Sequence, residues 1–459
     1  MRRGVLLGAL LLPLAAPAQS AGVRLPEKTT VAHRAFGAER LAAAAAPPIP
    51  ANFPPSSKAL PPPTASAAPS ASPSPPPKPL DPIGALLTGA LPTDGATDVV
   101  LIDWPAVPGS PHVRAATVVR AAPAAIKSVL LDAANYKKIV PALIRADVAR
   151  TKAGLPSVEW EVEVPLFNLT GTLVIHERPD GADIDLVEGD FSPGKLSFTA
   201  TPRPAGGSTL LVDAQLNIKN AGWLIRKLVN LSPAGEPAAL VAASYVTVRA
   251  VGLRAENAGS GGARRPGATP APPPVWSPSA RALADEKLAA LRAHGAVALV
   301  GRTWSQRLAG VAVATTVGVP TPNALGRLRD PESWHAFPGW RTVERRQGPN
   351  GIGAKVEDNL PFVDLEATWA AEPGDPLRWT ATDGVITGAR LGWEIYPIDP
   401  RANAGAPTLM ALMMYPRLET TGRLARKAIA SEPLLEHGLA VAVAFADLTA
   451  MKTALESTH

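Results

Sequence analysis

Cysteine is absent from this sequence, and charged and aromatic residues are scarce in it. Without cysteine the chain can form neither a disulfide nor a lipoprotein anchor, and a zinc site would depend on histidine and carboxylate groups, which do not cluster. Charged residues make up 18% of the 459 residues and aromatic residues 5%, and the net charge is +6. Because no Lys/Arg-rich block with interleaved aromatic residues occurs, the composition argues against a nucleic-acid partner.

Long apolar runs are also missing, apart from a short one at the N-terminus. Two arginines are followed by an apolar run over residues 4–14 and by Ala16-Pro17-Ala18. The run is too short to cross a bilayer, and the pattern is typical of a secretory signal peptide, residues 1–18, cleaved after Ala18. The sequence therefore predicts an exported protein. Its Ala, Pro and Gly richness suits a bacterium with a GC-rich genome, so we expect a periplasmic or extracellular location.

The 51 prolines mark two linkers. An Ala/Pro/Ser-rich linker is predicted over residues 19–90, because such a composition buries too little apolar surface to offset its ordering entropy. A Gly/Pro-rich linker is predicted over residues 256–281. Two domains remain, residues 91–255 and 282–459.

These two domains are copies of one pattern. Residues 158–169, V-E-W-E-V-E-V-P-L-F-N-L, return at 354–365 as A-K-V-E-D-N-L-P-F-V-D-L, a lag of 196. Gly189 returns as Gly384 at a lag of 195. A nearly fixed lag distinguishes a duplication from chance matches. The copies are called unit one and unit two.

Each unit has the pattern of an α+β domain. In unit one, strands are expected at 99–102 and 112–120, a short helix follows Pro123, and alternating apolar residues then indicate strands up to 218. A long helix is predicted from Pro237 to about 253, and unit two repeats this order and ends with a helix from Pro433. The expected layout is an antiparallel sheet with a long C-terminal helix across one face.

This order resembles the START-like helix-grip superfamily, which includes polyketide cyclases, coenzyme-Q-binding proteins and lipid-transfer domains. The resemblance rests on the segment 132–141, its counterpart 330–338, the segment 188–198 and the two terminal helices. It implies two tandem helix-grip domains, each a curved antiparallel sheet wrapped around its terminal helix with a hydrophobic cavity between them. The fold hosts carriers as well as enzymes, so it does not imply one activity.

The inward faces of the strands supply candidate ligand-binding residues, with plain core packing as the alternative. In unit one these are Trp160, Val162, Leu173, Leu186 and Phe198 on strands and Tyr245 on the helix; in unit two they are Trp369, Trp379, Trp393, Met413, Asp358 and His437. Asp358 falls where unit one has Val162. It is either a polar point in the cavity or turned outward by a bulge. His437 is either an acid or base in the second cavity or a satisfied helical histidine.

Two further surfaces stand out. The last strand of unit two, residues 409–415, is apolar on both faces, so we expect one face to contact unit one or to form a ligand mouth. A duplicated turn before each terminal helix could rest on an anionic membrane, with a solvated charged surface as the alternative. Its candidate membrane-contact residues are Trp223, Arg226, Lys227, Arg426 and Lys427.

The sequence favours an exported carrier that binds a hydrophobic ligand such as a lipid, quinone or polyketide-like molecule. No catalytic residue, metal or cofactor is assigned. The first alternative is an aromatase/cyclase-like enzyme acting in the same cavity, and the second is an interaction module whose cavities have closed. The sequence leaves the oligomeric state open.

Overall fold

The structure is a computed structural model that describes most of the chain between residues 81 and 457. The residues outside the description are 1–80, 94, 104–110, 140–142, 165–166, 222–225, 227–233, 259–277, 304, 337–339, 349–350, 361–362, 399–405, 418–428, 430–432 and 458–459. The predicted signal peptide and most of the Ala/Pro/Ser-rich linker lie among these residues.

A helix precedes the first strand of each unit, and a long helix follows the last strand. The helices are α1 (Pro82–Ala90), α2 (Pro123–Leu131), α3 (Tyr136–Ile139), α4 (Gly235–Ala258), α5 (Glu286–Arg292), α6 (Thr321–Leu328) and α7 (Leu434–Glu456). Short 3-10 helices span Ala133–Asn135, Ile218–Asn220, Ala280–Ala284 and Pro331–Ala336.

Among the described residues, eight strands belong to each unit. Those of unit one are β1 (Thr97–Asp103), β2 (His112–Val119), β3 (Leu143–Arg150), β4 (Pro156–Val164), β5 (Phe167–Arg178), β6 (Gly181–Gly189), β7 (Phe191–Pro202) and β8 (Ser208–Asn217). Those of unit two are β9 (Ala296–Arg302), β10 (Leu308–Val317), β11 (Trp340–Gly348), β12 (Gly351–Leu360), β13 (Val363–Glu372), β14 (Asp375–Gly384), β15 (Arg390–Pro397) and β16 (Thr408–Tyr415).

Within the described residues, all these strands join one antiparallel sheet of 16 strands. Its order is β11-β12-β13-β14-β15-β16-β10-β9-β1-β2-β8-β7-β6-β5-β4-β3. The units meet where β1 pairs with β9, for example Val99 with Leu299. Pairing between equivalent strands is what a pseudo-two-fold relation between the units produces. The predicted α+β fold of two tandem helix-grip units is confirmed.

The duplication is visible in the backbone as well. Gly189 and Gly384 both have a positive φ, 85° and 98°. An added Cβ would lie 2.3 Å from the Thr170 carbonyl oxygen in unit one and 2.0 Å from that of Glu366 in unit two. Both positions therefore require glycine for the same reason, a left-handed turn that passes close to the neighbouring strand.

The sheet buries apolar residues on both faces. On the inner face, α4 and α7 pack on the central strands and the cores of the two units merge into one cluster. On the outer face, α1, α5 and the 3-10 helix Ala280–Ala284 cover a second cluster that includes Leu87, Leu291 and Leu299. The units share both cores.

The predicted linkers end differently in the structure. Helix α1 lies inside the predicted linker 19–90, and the 3-10 helix Ala280–Ala284 begins inside the predicted linker 256–281. Helix α1 forms because Asp81 accepts a hydrogen bond from Gly84 N at 2.6 Å and Pro82 occupies the first turn, while Leu87 is fully buried. The high proline content of the preceding segment led to the prediction of a linker where this capped helix lies.

By length and composition, α4 and α7 are apolar enough to cross a membrane. The greater part of each helix is buried inside the protein. The two helices are apolar because they pack against each other and against the sheet.

Candidate functional site

The inner face of unit one is an apolar wall built by β4 to β8. Strand alternation turns every second side chain toward this face, as the sequence predicted. The wall residues that pack together are Val158, Trp160, Val162, Leu173, Ile184, Leu186, Leu196, Phe198, Val212 and Leu216. Phe198 is fully buried, and Leu173 is partly buried against the cluster. Their contact with a ligand remains a prediction.

Trp160 is the one wall residue of this group with a polar hydrogen. It is 8% exposed, and its ring lies parallel to that of Phe191, with centroids 6.3 Å apart and an interplanar angle of 9°. Its Nε1 is buried and has no hydrogen-bond acceptor among the described residues. The wall therefore contains one unsatisfied donor in an apolar setting.

Unit two fills the equivalent face with tryptophan. Trp369, Trp379 and Trp393 are all buried on the inner face, as predicted. Trp334 joins them from the 3-10 helix Pro331–Ala336 and meets Trp379 edge to face, with ring centroids 4.5 Å apart. The edge-to-face contact of these two large rings is a favourable packing arrangement for aromatic side chains.

Met413 does not lie on the predicted face. Directly paired residues share a face, and Trp393 pairs with Leu412, whereas Met413 pairs with Gly392. Met413 therefore belongs to the outer cluster, where its sulfur lies 4.0 Å from Nη1 of Arg378. The second apolar face of β16 is covered by the outer core, which includes residues of unit one.

Several predicted residues are described only in part or not at all. Asp358 lies on β12, where its backbone pairs with Trp340 and Leu365, and its side chain is outside the described residues. A bulge lies opposite Asp358 on β11, but an equivalent bulge lies opposite Val162 on β3, so the bulge does not distinguish the units. Of the membrane-contact candidates only Arg226 is described, and it is exposed; Trp223, Lys227, Arg426 and Lys427 lie outside the described residues.

Tyr245 and His437 lie at the junction of the units instead of facing separate cavities. The rings stack with centroids 6.2 Å apart, so α4 and α7 touch through them. Tyr245 also reaches the sheet, where its hydroxyl donates to Asp98 Oδ2 at 2.7 Å. Both residues are fully buried.

Asp98 is the centre of a buried polar cluster at this junction. Its Oδ1 accepts hydrogen bonds from Thr117 Oγ1 at 2.7 Å and from Arg302 Nη2 at 3.0 Å. Arg249 from α4 lies 3.7 Å from Oδ2 and donates to Thr117 Oγ1 at 2.7 Å. The carboxylate is thus held by residues of both units, and it is 1% exposed.

Electrostatics in the cluster follow from this geometry. Burial alone would raise the pKa of Asp98, but the charges of Arg302 and Arg249, with hydrogen bonds from Thr117 and Tyr245, hold that pKa below its usual value. Burial, reinforced by the Asp98 charge, raises the pKa of Tyr245 well above its usual value. The cluster is therefore an ionised carboxylate with a neutral phenol beside it at neutral pH.

His437 is neutral in the same surroundings. Burial, together with the charges of Arg249 and Arg302, lowers the pKa of His437 to about 3. Its Nδ1 lies 3.4 Å from the Pro433 carbonyl oxygen, and its Nε2 is buried without a partner among the described residues. The predicted role as an acid or base in the second cavity does not fit this position, because unit one covers the ring.

Sequence reasoning missed Asp98, Arg249 and Arg302. The available signal was a charged residue inside an apolar run, as in T-D-V-V-L-I for Asp98 and Y-V-T-V-R-A-V for Arg249. Neither residue is duplicated: Asp98 corresponds to Ala296 at a lag of 198, and Arg249 to Phe445 at a lag of 196. Among the described residues, no group of three His, Cys, Asp or Glu is placed to hold a metal ion.

No protein-family model matches the chain, and no curated protein sequence matches it. Among solved structures, the Zhui aromatase/cyclase from a Streptomyces species is 19% identical; the match covers 32% of this chain and 93% of that protein, with a TM-score of 0.27. A di-domain ARO/CYC from the steffimycin biosynthetic pathway is 11% identical over 73% of this chain and 99% of that one, with a TM-score of 0.23. A STAR-related lipid transfer protein from Xanthomonas axonopodis is 16% identical over 35% of this chain and 96% of that fragment, with a TM-score of 0.25.

Proposed function

We propose that the protein is an exported carrier that binds a hydrophobic small molecule against the inner face of its sheet. The observation that supports this is the composition of the unit one wall. The buried side chains that β4 to β7 turn inward are apolar among the described residues, and on β8 the polar exception is Ser208, whose hydroxyl donates to the Ala121 carbonyl oxygen. A wall of this kind binds through burial of apolar surface, worth about 25 cal/mol for each Å² removed from water.

The wall also extends to the surface of the protein. On the edge strand β3, Val148 pairs directly with Val158 and therefore lies on the same face. Val148 is 50% exposed, whereas Val158 is fully buried. We propose that a hydrophobic molecule enters at this edge, where the apolar face continues from the core to an exposed strand.

Binding without chemistry is favoured by where the titratable groups lie. Tyr245 donates a hydrogen bond to Asp98, and His437 is enclosed between α4 and α7. Both groups serve the junction of the units. A ligand that is chemically altered on incubation with the protein would instead favour the aromatase/cyclase-like alternative.

A blocking variant tests the proposal. Leu173 pairs with Val158 and Leu186 on the wall and is partly buried, so Leu173→Trp would put a larger side chain on the wall. We expect Leu173→Trp to reduce the uptake of a radiolabelled quinone or fatty acid from liposomes about tenfold, equal to about 1.4 kcal/mol. Val187→Trp is the matched control, because Val187 is 47% exposed on the neighbouring position of β6. Equal uptake by the two variants and the unmodified protein would contradict binding on this wall.

Export is the second part of the proposal and is supported by the signal pattern of residues 1–18. The full chain expressed in a bacterium should appear in the periplasm or medium with a new N-terminus after Ala18, as read by N-terminal sequencing. Retention in the cytoplasm with residues 1–18 intact would remove export from the account. Contact of the turn that contains Arg226 with an anionic membrane also remains a prediction.

A further inference from the structure

Trp160 occupies a fixed place on the unit one wall. It lies on β4 directly opposite Gly171 on β5. A Cβ added to Gly171 would lie 2.6 Å from the indole Cζ2 atom of Trp160, so the indole lies across the glycine. The absence of a side chain at Gly171 therefore defines where the indole rests.

The indole N–H of Trp160 is a buried donor without an acceptor. Trp160 is 8% exposed, and its Nε1 has no hydrogen-bond partner among the described residues. A buried polar group without a partner is costly, and most such groups in proteins find one. The neighbouring wall side chains are apolar and offer no acceptor, so a molecule that enters can supply one.

Access distinguishes this donor from Trp379, a buried indole donor of unit two that is not its equivalent by position. The ring parallel to Trp160 belongs to Phe191, which is only partly buried, so the aromatic pair reaches the edge of the core. Trp379 in unit two also has a buried Nε1 without a described partner, but its neighbour Trp334 is fully buried. A ligand can therefore approach the indole of unit one more readily than that of unit two.

Resting on the proposed function, we propose that unit one binds an apolar ring system that carries an acceptor oxygen, and that Trp160 Nε1 donates a hydrogen bond to that oxygen. The parallel rings of Trp160 and Phe191 present flat aromatic surface to such a ring, and the wall buries its apolar edge. A purely aliphatic chain would leave the donor unsatisfied. An ionised carboxylate would enter an apolar wall without a compensating charge.

The test compares two flat molecules of similar shape, 1,4-naphthoquinone with two carbonyl oxygens and naphthalene with none. The chain has no cysteine, so the quinone cannot add to a thiol. Binding to the full chain is measured by titration calorimetry for the unmodified protein, for Trp160→Phe and for Trp379→Phe as the matched control. Trp160→Phe keeps an aromatic ring and removes only the donor and part of the ring area.

We expect Trp160→Phe to weaken naphthoquinone binding about tenfold and to leave naphthalene binding unchanged within about twofold, while Trp379→Phe changes neither. Equal weakening of both probes, or a loss confined to Trp379→Phe, overturns the assignment of Trp160 as a hydrogen-bond donor. Unmodified protein that binds naphthalene as tightly as naphthoquinone overturns it as well, yet leaves the proposed function standing. Failure to bind either probe, quinone or lipid contradicts the proposed function itself.

A second measurement does not depend on the folding of a variant. In the unmodified protein with ¹⁵N-labelled tryptophan, saturating naphthoquinone should move one indole N–H resonance strongly downfield, whereas naphthalene should not. Indole resonances that respond alike to both molecules would overturn the proposal.

Discussion

Asp98 illustrates how much a single residue contributes to joining the units. It accepts hydrogen bonds from Thr117, Tyr245 and Arg302, which come from both copies. Such a pair of buried charges contributes little net stability compared with an apolar replacement, but removal of one partner leaves the other buried and uncompensated. We therefore expect the cluster to favour this arrangement of the two units over others.

The first prediction concerns this carboxylate. Asp98→Asn leaves Arg249 and Arg302 buried without an opposing charge, so we expect a loss of about 3–5 kcal/mol in the free energy of unfolding. Asp147→Asn is the control, because Asp147 is exposed and pairs with the exposed Arg145, so its stability should stay close to that of the unmodified protein. Urea unfolding measures both, and similar stabilities for the two variants would contradict a central role for Asp98.

The second prediction concerns His437 and pH. Its pKa is lowered to about 3 in the folded protein by burial and by Arg249 and Arg302, against 6.5 when unfolded; Asp98 is the negative group facing it. As pH falls below 6.5 the unfolded state gains a proton first, so the contribution of neutral His437 to stability is full above pH 6.5 and is lost progressively toward pH 3. Between pH 7 and 4.5 this loss amounts to about 2–3 kcal/mol.

The matched variant is His437→Gln, which cannot titrate. The free energy of unfolding should fall by about 2–3 kcal/mol more in the unmodified protein than in His437→Gln between pH 7 and 4.5. Equal losses in the two proteins would show that His437 is accessible to protons in the folded state. All other titratable groups contribute equally to the free energy of unfolding of both proteins, so their contributions cancel in the difference.

Residue identities also show what the sequence could and could not predict. Alternation on β4 to β8 was enough to place Trp160, Val162, Leu186 and Phe198 on one face, because strand period is a local property. The location of Tyr245 and His437 was not predictable in this way. Both residues contact the other unit, and the meeting of β1 with β9 depends on the whole chain.

At the scale of elements, α4 and α7 contact each other at positions where both helices carry small side chains. An added Cβ on Gly438 of α7 would lie 2.7 Å from Val246 Cγ2 and 3.1 Å from the Ala242 carbonyl oxygen of α4. Ala242 and Gly438 correspond at a lag of 196, so the crossing lies at equivalent positions of the two copies. Small residues at this point let the two backbones approach.

The third prediction follows from that crossing. Gly438→Ala should separate the helices and lower the free energy of unfolding by about 1–3 kcal/mol, despite the better helix propensity of alanine. Gly326→Ala on α6 is the control, since an added Cβ there meets nothing within 4 Å, and it should be neutral or stabilising by up to about 1 kcal/mol. Thermal or urea unfolding distinguishes them, and a Gly438→Ala protein as stable as Gly326→Ala would contradict close helix contact.

Strand β16 is an element whose facing residues could not be predicted from the alternation of apolar and polar residues. Residues 409–415 are apolar on both faces, so alternation alone could not assign Met413 to one of them. Pairing with β15 decides the matter, because it places Leu412 beside Trp393 and turns Met413 outward. The covering elements of that outer face are α1, α5 and a 3-10 helix, which lie next to or inside the proline-rich segments predicted as linkers.

For the whole molecule, the duplication was predictable from the constant lag, and with it the tandem fold. The continuous sheet was not predictable, because it arises from pairing of β1 with β9, whose apolar runs carry no signal for a partner. The merged inner core and the asymmetric junction cluster follow from that pairing. The copies thus share a scaffold, while Trp160 with an accessible neighbour occurs in unit one and a tryptophan-filled interior occurs in unit two.

The central claim is that the chain binds a hydrophobic small molecule. Native mass spectrometry of the exported protein, before and after extraction with organic solvent, tests this claim most directly. The account predicts a mass excess that corresponds to one small molecule per chain and that is removed by extraction. The bound fraction should be lower for Leu173→Trp and unchanged for Val187→Trp. A protein of bare polypeptide mass before extraction, which also takes up no quinone or lipid when they are supplied, would contradict the account.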